Sequence, residues 1–277
     1  MISVPMRRPT IGVFDSGFGG LTVLKALLEL IPVADYLYFG DTARLPYGSK
    51  SAQTVAKYAV EATQYLEQHG AGLLVIACNT ATALALDQIR DRSSVPVIGV
   101  VDPGAERASV VSENRKVAVI GTEATIGSHA YLRALEMRGL EAREKACPLL
   151  VPLVEEGWVD HPVTEQVARI YLEEVFTDGF ANADVLLLGC THYPLLKPVL
   201  RRVAPQQAVI VDSAESTAQV VAEQLRLAPP SVAPPEGRLR PARLRFFATD
   251  SAEKFRRLGA RFLGCPIADV QHVDLKE

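Results

Sequence analysis

Two of the four cysteines stand in closely similar settings along the chain. Cys78 follows the apolar residues 73–77 and precedes Asn-Thr-Ala-Thr, while Cys190 follows residues 185–189 and precedes Thr-His-Tyr-Pro. Each pattern indicates a buried strand that ends at a thiol, with hydroxyl or amide side chains at the start of a helix. A helix N-terminus lowers the pKa of a thiol from its free value of about 8.5. A cysteine that ends a strand is usually a small buried hydrophobe, but the repeated setting favours a catalytic role for both.

Polar residues also follow the other predicted strands, at the edge where open parallel sheets bind ligands. The first strand leads into Asp15 and Ser16 of a DSGFGG loop, whose glycines permit close approach of the backbone. Asp15 and Ser16 are suited to recognise an ammonium group or to orient a neighbouring thiol. His192, two residues after Cys190, is interpreted as the proton partner of that thiol.

Several common kinds of site are excluded by their motifs. DSGFGG fits neither the GxGxxG dinucleotide fingerprint nor the P-loop pattern, and Ser16 lacks the GxSxG elbow of the α/β-hydrolases. No cysteines form a CxxC pair, no Cys/His spacing matches a zinc site, and no lysine stands where a pyridoxal phosphate Schiff base would need it. Cys147 and Cys265 precede prolines outside such turns and are interpreted as structural. The sequence therefore predicts no cofactor and no metal.

The composition is that of a globular protein in a reducing compartment. Of 277 residues, 48% are hydrophobic and 22% charged, and the net charge of −3 favours neither nucleic acid nor a membrane surface as a partner. The longest apolar runs are far too short to span a bilayer. Arg7 and Arg8 resemble the positively charged start of a signal peptide, but Asp15 interrupts the apolar stretch that follows them. A cytoplasmic location with four reduced thiols is therefore expected.

Short apolar runs alternate with helical patterns along most of the chain, which predicts α/β architecture with mostly parallel sheets. Strands are predicted over residues 11–14, 36–39, 73–77 and 95–100, then over 117–121, 142–147, 185–189 and 209–212. Helices are predicted over residues 21–30, 51–69, 82–92, 126–137, 163–176 and 195–203. Because the two series echo each other around the cysteines, we expect two α/β domains related by a pseudo-twofold axis. The active site would then lie in the cleft between them.

The domain boundaries follow from these two series. The first α/β domain is predicted to be discontinuous, comprising residues 1–102 and 214–277, and the second to comprise residues 103–213. The proline-rich residues 228–245 are interpreted as a surface linker. A further strand over 244–248 and a helix over 251–263 are expected to return to the first domain.

Five motifs together carry a specific family resemblance: DSGFGG, PYG, CNTAT, CPLLVPLVEEG and GCTHYP. From about residue 11 to residue 264, the chain closely resembles the glutamate racemases of the aspartate/glutamate racemase superfamily. The resemblance implies cofactor-independent racemisation of L-glutamate to D-glutamate, which supplies peptidoglycan synthesis. It also implies that Cys78 acts on the D-enantiomer and Cys190 on the L-enantiomer, as two bases on opposite faces of the substrate.

The same resemblance assigns the remaining site residues. Asp15 and His192 are implied as assistants of the two cysteines, together with an acid after the VPL stretch. That acid is Glu155 or Glu156, and Glu155 is favoured. The implied substrate contacts are Asp15, Ser16, Tyr47, Gly48, Asn79, Thr80, Thr122, Thr125, Thr191 and His192.

Racemisation without a cofactor sets a chemical requirement, because the α-proton of an amino acid is very weakly acidic. Hydrogen-bond donors must neutralise the carboxylate as charge develops, and Asn79, Thr80 and Thr191 can supply them. One thiolate must remove the proton and one thiol must deliver another to the opposite face.

Two other functions fit parts of the pattern. An aspartate or hydantoin racemase or a maleate isomerase would share the cysteine pair and differ in the substrate side chain. A periplasmic-binding-like module would hold an amino acid in an interdomain cleft, but it would need neither thiol and no export signal supports it. The oligomeric state stays open, with a homodimer among the options.

Overall fold

Ten strands and eleven α-helices form the part of the chain that the structure, a computed structural model, describes: residues 8–226 and 242–275. The strands are β1 (Thr10–Asp15), β2 (Asp35–Gly40), β3 (Leu73–Ile76), β4 (Val97–Gly99), β5 (Lys116–Gly121), β6 (Glu141–Ala146), β7 (Val185–Gly189), β8 (Val209–Asp212), β9 (Leu244–Ala248) and β10 (Gln271–His272). The helices are α1 (Leu21–Leu30), α2 (Ala52–Gln68), α3 (Asn79–Arg92), α4 (Val101–Val111), α5 (Glu123–Gly127), α6 (Ala130–Glu136), α7 (Leu150–Glu155), α8 (Pro162–Val175), α9 (Lys197–Val203), α10 (Ser213–Gln224) and α11 (Ala252–Leu263).

The strands form two parallel sheets with the same internal order. The first sheet has the order β10-β9-β2-β1-β3-β4, and the second has the order β6-β5-β7-β8. Strands β1 to β4 therefore lie in the order 2-1-3-4, and strands β5 to β8 repeat it. All strand pairs among the described residues are parallel. The predicted α/β fold with two related halves is confirmed.

Strands β3 and β7 carry no polar side chain because helices cover both faces of the sheets. In β3, Leu74 and Ile76 join the cluster that packs under α2 and α3. Leu73 and Val75 point to the opposite face, where the apolar cluster continues into the second half of the chain. Helix α10 packs against both α1 and α4, so it ties the two halves together behind the strands.

The C-terminal tail returns to the first sheet, as expected. Strand β9 pairs in parallel with β2, with Tyr36 opposite Leu244 and Tyr38 opposite Phe246. Residues 228–241 of the predicted linker, and residues 1–7 and 276–277 of the predicted first domain, lie outside the described residues. The domain boundaries at residues 102/103 and 213/214 stay a prediction.

The helix predicted over residues 126–137 is wrong, since two helices, α5 and α6, occupy this region. Between them His129 adopts a left-handed conformation with φ of 55°, which interrupts the α-helical backbone. Helix α5 also begins earlier than predicted, because the Thr122 side chain caps it by accepting a hydrogen bond from the Thr125 N–H at 3.2 Å.

Helices α4, α7 and α10 are missing from the sequence prediction. Two of them begin at the boundaries assigned between the series of strands, and α7 lies in a segment interrupted by prolines. In the described ranges, no helix combines the length and the apolar character needed to cross a membrane.

Candidate active site

A cavity of about 380 Å³ lies between the two halves of the chain, at the carboxyl ends of the strands. The topology predicts a ligand here, because the order in which successive strands are added reverses between the first and third strands of each sheet. Those strands are β1 and β3 in the first sheet and β5 and β7 in the second. The sequence-predicted residues that line the cavity are Ser16, Tyr47, Gly48, Cys78, Asn79, Thr80, Thr122, Glu155, Cys190, Thr191 and His192. Asp15 and Thr125 lie directly behind this lining.

Cys78 lies two residues after β3 and caps the N-terminus of α3. Its Sγ accepts a hydrogen bond from the Ala81 N–H at 3.4 Å and lies 3.5 Å from the Ser16 hydroxyl. Burial and the negative charge of Asp15 nevertheless raise the pKa of the Cys78 thiol to about 12. The expectation that the helix N-terminus would lower this pKa is therefore wrong in its net sign, because desolvation of the thiolate outweighs the helix. Cys78 is a thiol at neutral pH.

Asp15 ends β1 and is almost completely buried. Its Oδ2 accepts a hydrogen bond from the Gly17 N–H at 2.9 Å, while Oδ1 has no hydrogen-bond partner within the described residues. Burial raises the pKa of Asp15, and the charge of His192 and nearby backbone N–H groups oppose that rise. A Cβ at position 20 would come within 2.6 Å of the Asp15 Cβ, so only glycine fits there.

Cys190 directly follows β7, the strand of the second sheet that corresponds to β3. Unlike Cys78, it does not cap an α-helix. A 3-10 turn over Tyr193–Leu196 comes first, and α9 begins only at Lys197. The two thiols thus hold equivalent places in the two sheets, but the prediction that both open a helix is wrong for Cys190.

His192 is buried beside Cys190, with its Nε2 3.4 Å from Oε1 of Glu155. Its ring also packs edge-on against Phe262, at 5.0 Å between ring centroids. Burial alone would lower the pKa of His192, but the side chains of Cys190 and Glu155 outweigh it and raise the pKa to about 10. His192 is therefore an imidazolium at neutral pH, suited to stabilise a thiolate next to it.

Glu155, the last residue of α7, is the acid that approaches His192. Burial would raise the pKa of Glu155, but the positively charged His192 close to the carboxylate more than offsets it and holds the pKa below its usual value. Glu156 also lines the cavity. The sequence left the choice between these neighbours open, and the ion pair with His192 favours Glu155.

Three threonine hydroxyls meet where the two halves of the chain touch. Oγ1 of Thr80 lies 3.0 Å from that of Thr122 and 3.1 Å from that of Thr125, and the latter two are 2.9 Å apart. Thr80 belongs to the first turn of α3, and the other two belong to the start of α5. Gly48 packs against the same group, since a Cβ there would lie 3.0 Å from the Thr122 Cβ.

The loop DSGFGG closes against the turn that carries Thr191 and His192. A Cβ at Gly19 would lie 2.6 Å from Nδ1 of His192. The hydroxyl of Thr22, just beyond the loop, hydrogen-bonds the Thr191 carbonyl at 3.3 Å. Glycine at position 19 therefore allows the two cysteine-bearing halves to meet across a narrow gap.

Tyr47 does not point its hydroxyl at the cavity. The hydroxyl donates a hydrogen bond of 2.6 Å to Asp41 Oδ2, and the other oxygen of that carboxylate accepts one of 2.8 Å from Thr249. Any contact of Tyr47 with a ligand would therefore come from its ring or its main chain. Asp41 directly follows β2, a position that could have marked it, but the sequence prediction does not include it.

A second unpredicted residue, Tyr131 on α6, donates a hydrogen bond of 2.6 Å to Oδ1 of Asn79. Nothing in the local sequence pattern marks it, because it occupies an ordinary position within a helix. Neither of the two cysteines interpreted as structural lines the cavity: Cys147 is buried and Cys265 is exposed. In residues 8–226 and 242–275, no three His, Cys, Asp or Glu side chains form a group that could hold a metal ion.

Comparison with known proteins gives one consistent result. A family model described as Asp/Glu/Hydantoin racemase matches residues 11–221. The chain is 60% identical to the glutamate racemase of Koribacter versatilis over 97% of this chain and 98% of that protein. It is 46% identical to the Thermus thermophilus glutamate racemase structure in complex with β-chloro-D-alanine, with a TM-score of 0.83 and coverage of 97% and 98%. The Francisella tularensis glutamate racemase in complex with D-glutamate is 34% identical, with a TM-score of 0.85 and coverage of 97% and 98%.

Proposed function

The chain belongs to the Asp/Glu/hydantoin racemase family, and on that premise we propose that it interconverts L- and D-glutamate without a cofactor. One observation supports this proposal most strongly. Cys78 and Cys190 follow equivalent strands of two sheets with the same topology, and both line one cavity. Relatives that cover nearly the whole chain carry the name glutamate racemase, and one of them was solved with D-glutamate.

The L-to-D direction begins at Cys190. Its thiolate takes the α-proton of L-glutamate, and the adjacent His192 imidazolium stabilises that thiolate before the transfer. Glu155 keeps His192 protonated through the ion pair at 3.4 Å. The Cys78 thiol then delivers its proton to the opposite face of the α-carbon, which inverts the centre and leaves Cys78 as a thiolate.

The D-to-L direction starts from the other thiol. Cys78 must lose its proton before it can act as a base, although burial and Asp15 raise its pKa to about 12. We assign this step to Asp15, a buried carboxyl whose pKa is raised and whose Oδ1 is unpaired. Each thiol thus has its own assistant, on its own half of the chain.

Charge that develops on the substrate carboxylate needs hydrogen-bond donors already in place. Asn79 and Thr80 begin α3, where the helix N-terminus adds a favourable field. Thr191 lies on the opposite wall of the cavity. We propose these three as the carboxylate-binding residues, with Ser16, Tyr47, Gly48 and Thr122 as further substrate contacts.

The test uses glutamate labelled with deuterium at the α-carbon and purified protein with no added cofactor. The proposal expects loss of deuterium to solvent together with inversion, from either enantiomer, before and after exhaustive dialysis. A substrate panel with aspartate and hydantoins separates the related activities, and faster turnover of aspartate than glutamate would overturn the choice of substrate. Retention of deuterium with tight glutamate binding would instead indicate a binding protein.

We further propose that the reaction takes place in the cytoplasm and that the D-glutamate supplies peptidoglycan synthesis, as the family resemblance implies. The expected result is that external D-glutamate rescues growth of cells depleted of this protein. Failure of that rescue would contradict the biological role while leaving the chemistry intact.

A further inference from the structure

The hydrogen bond from Tyr131 to Asn79 joins residues that are 52 positions apart in the sequence. Asn79 is the first residue of α3 and directly follows Cys78. Tyr131 lies on α6, which packs in the second half of the chain. A side chain of one half therefore reaches a cavity-lining amide of the other half, next to a reactive thiol.

The packing around Tyr131 leaves its ring little freedom. The side chain is completely buried. A Cβ added at Gly189 would lie 3.0 Å from its ring, and one added at Gly104 would lie 3.4 Å away. Gly189 immediately precedes Cys190, so the ring lies against the strand that presents the second thiol. Burial raises the pKa of Tyr131, so the hydroxyl stays protonated and able to donate throughout the neutral range.

The amide of Asn79 is satisfied at one end only. Its Oδ1 accepts the Tyr131 hydroxyl at 2.6 Å, whereas its buried Nδ2 has no hydrogen-bond partner among the described residues. A buried N–H group without a partner is costly, so its persistence indicates a ligand that pairs with it. Since Asn79 lines the cavity, the ligand of that cavity can supply the acceptor.

We propose that Tyr131 is a positioning residue that fixes the orientation of the Asn79 amide, so that its N–H donates to a carboxylate of the bound substrate. The inference rests on the proposed glutamate racemisation and adds a residue to it. Because the Tyr131 hydroxyl binds Oδ1, the Asn79 amide cannot flip and point this oxygen at the substrate carboxylate. Such a flip would bring two acceptors together, and they would repel each other. Because the donor serves a carboxylate rather than either thiol, it acts equally on both enantiomers.

The first experiment compares Tyr131→Phe with the matched control Tyr36→Phe. The Tyr36 hydroxyl is also buried and hydrogen-bonded, but to the carbonyls of Leu27 and Ile31, at 3.0 and 2.8 Å. For Tyr131→Phe we expect kcat/KM for glutamate to fall about 10- to 100-fold. This is the range for losing a hydrogen bond to a charged group, here the bond from Asn79 to the substrate carboxylate. The ratio of kcat in the two directions should stay at its wild-type value. Tyr36→Phe should retain wild-type kcat/KM, and melting curves of both variants check the fold.

The second experiment is a double-mutant cycle with Asn79→Ala. If Tyr131 acts through Asn79, adding Tyr131→Phe to Asn79→Ala should cause no further loss in kcat/KM. Asn79→Asp gives an independent measurement, because it keeps the acceptor for Tyr131 and removes the N–H donor. It should lose at least as much kcat/KM as Tyr131→Phe.

Three results would overturn the inference: multiplicative losses in the cycle, equal activity of the two Tyr→Phe variants, or wild-type activity of Asn79→Asp. Each leaves the proposed function standing as long as the wild-type protein racemises glutamate. A wild-type protein that does not racemise glutamate would refute the proposed function itself, and this inference with it.

Discussion

Nε2 of His192 lies 3.4 Å from Oε1 of Glu155, and this ion pair joins the turn after β7 to the end of α7. Together with Cys190 it raises the pKa of His192 to about 10, against the lowering effect of burial. The protonated imidazole stabilises a thiolate only while it keeps its proton. The Glu155 carboxylate therefore helps to set the pH range over which His192 stays protonated and can stabilise a thiolate.

Glu155→Gln should lower the pKa of His192 toward its ordinary value, because the charge that stabilises the imidazolium is gone. The basic limb of the pH profile of kcat in the L-to-D direction should move to lower pH. Once the pKa of His192 lies below the assay pH, kcat should fall about tenfold for each pH unit by which the assay pH exceeds that pKa. Glu156→Gln is the matched control and should keep the wild-type profile. Equal pH profiles for both variants would show that Glu155 does not keep His192 protonated.

The unfolding free energy should also respond to this imidazole. A histidine with a folded-state pKa of about 10 and an ordinary value of 6.5 stabilises the fold fully below pH 6.5. That contribution is lost progressively as the pH rises and is gone above about 10. Urea unfolding between pH 6 and 10 should therefore show a steeper loss of stability in the wild type than in His192→Asn. Parallel curves for the two proteins would contradict the raised pKa.

Replacement of either reactive thiol should abolish racemisation. Cys78→Ser and Cys190→Ser leave a hydroxyl that is far too weak an acid to exchange the α-proton. The controls are Cys265→Ser at an exposed position and Cys147→Ser in the core. The first should behave as wild type, and the second should lose stability at most. Full activity of Cys190→Ser would mean that the two-thiol mechanism is wrong.

Asp15 and His192 should affect opposite directions, because each assists a different thiol. An assistant of this kind contributes about 10²–10⁴-fold to its own proton transfer. His192→Asn should lower kcat most from L to D, and Asp15→Asn most from D to L. The enantiomers have equal free energies in water, so kcat/KM must stay equal in both directions and the asymmetry appears as kcat and KM changing together. Steady-state kinetics in both directions provides the test, and identical losses of kcat would contradict the assignment.

Asp15→Asn removes the base to which we assign the Cys78 proton, which slows the proton transfer. It also removes a negative charge, so the equilibrium pKa of Cys78 should fall. Burial is the main reason for the raised pKa of Cys78, about 12, and the charge of Asp15 is the second. Without that charge, alkylation by iodoacetamide, which requires the thiolate, should begin at lower pH. Peptide mass spectrometry can follow the reaction at Cys78, with exposed Cys265 as an internal reference whose curve should not move. An unchanged curve at Cys78 would show that Asp15 does not act on this thiol.

Local sequence patterns were sufficient to predict much of the fold. The apolar runs around residues 73–77 and 185–189 predicted β3 and β7 because strands buried on both faces exclude polar side chains. The same runs placed Cys78 and Cys190 at strand ends, where parallel sheets bind ligands. The prediction failed at His129, because a left-handed residue inside an apolar helical pattern leaves no compositional mark.

By itself, the sequence determined which residue types stand at the ends of the strands. The spacing of apolar residues that marks a buried strand is encoded within a few neighbouring positions. Only the tertiary structure decided which of them interact. The pairing of His192 with Glu155 depends on where α7 ends relative to β7. The bond between Tyr131 and Asn79 depends on how one half packs against the other. The high pKa of Cys78 is likewise a tertiary property, because the burial and the neighbouring charge that raise it come from distant parts of the chain.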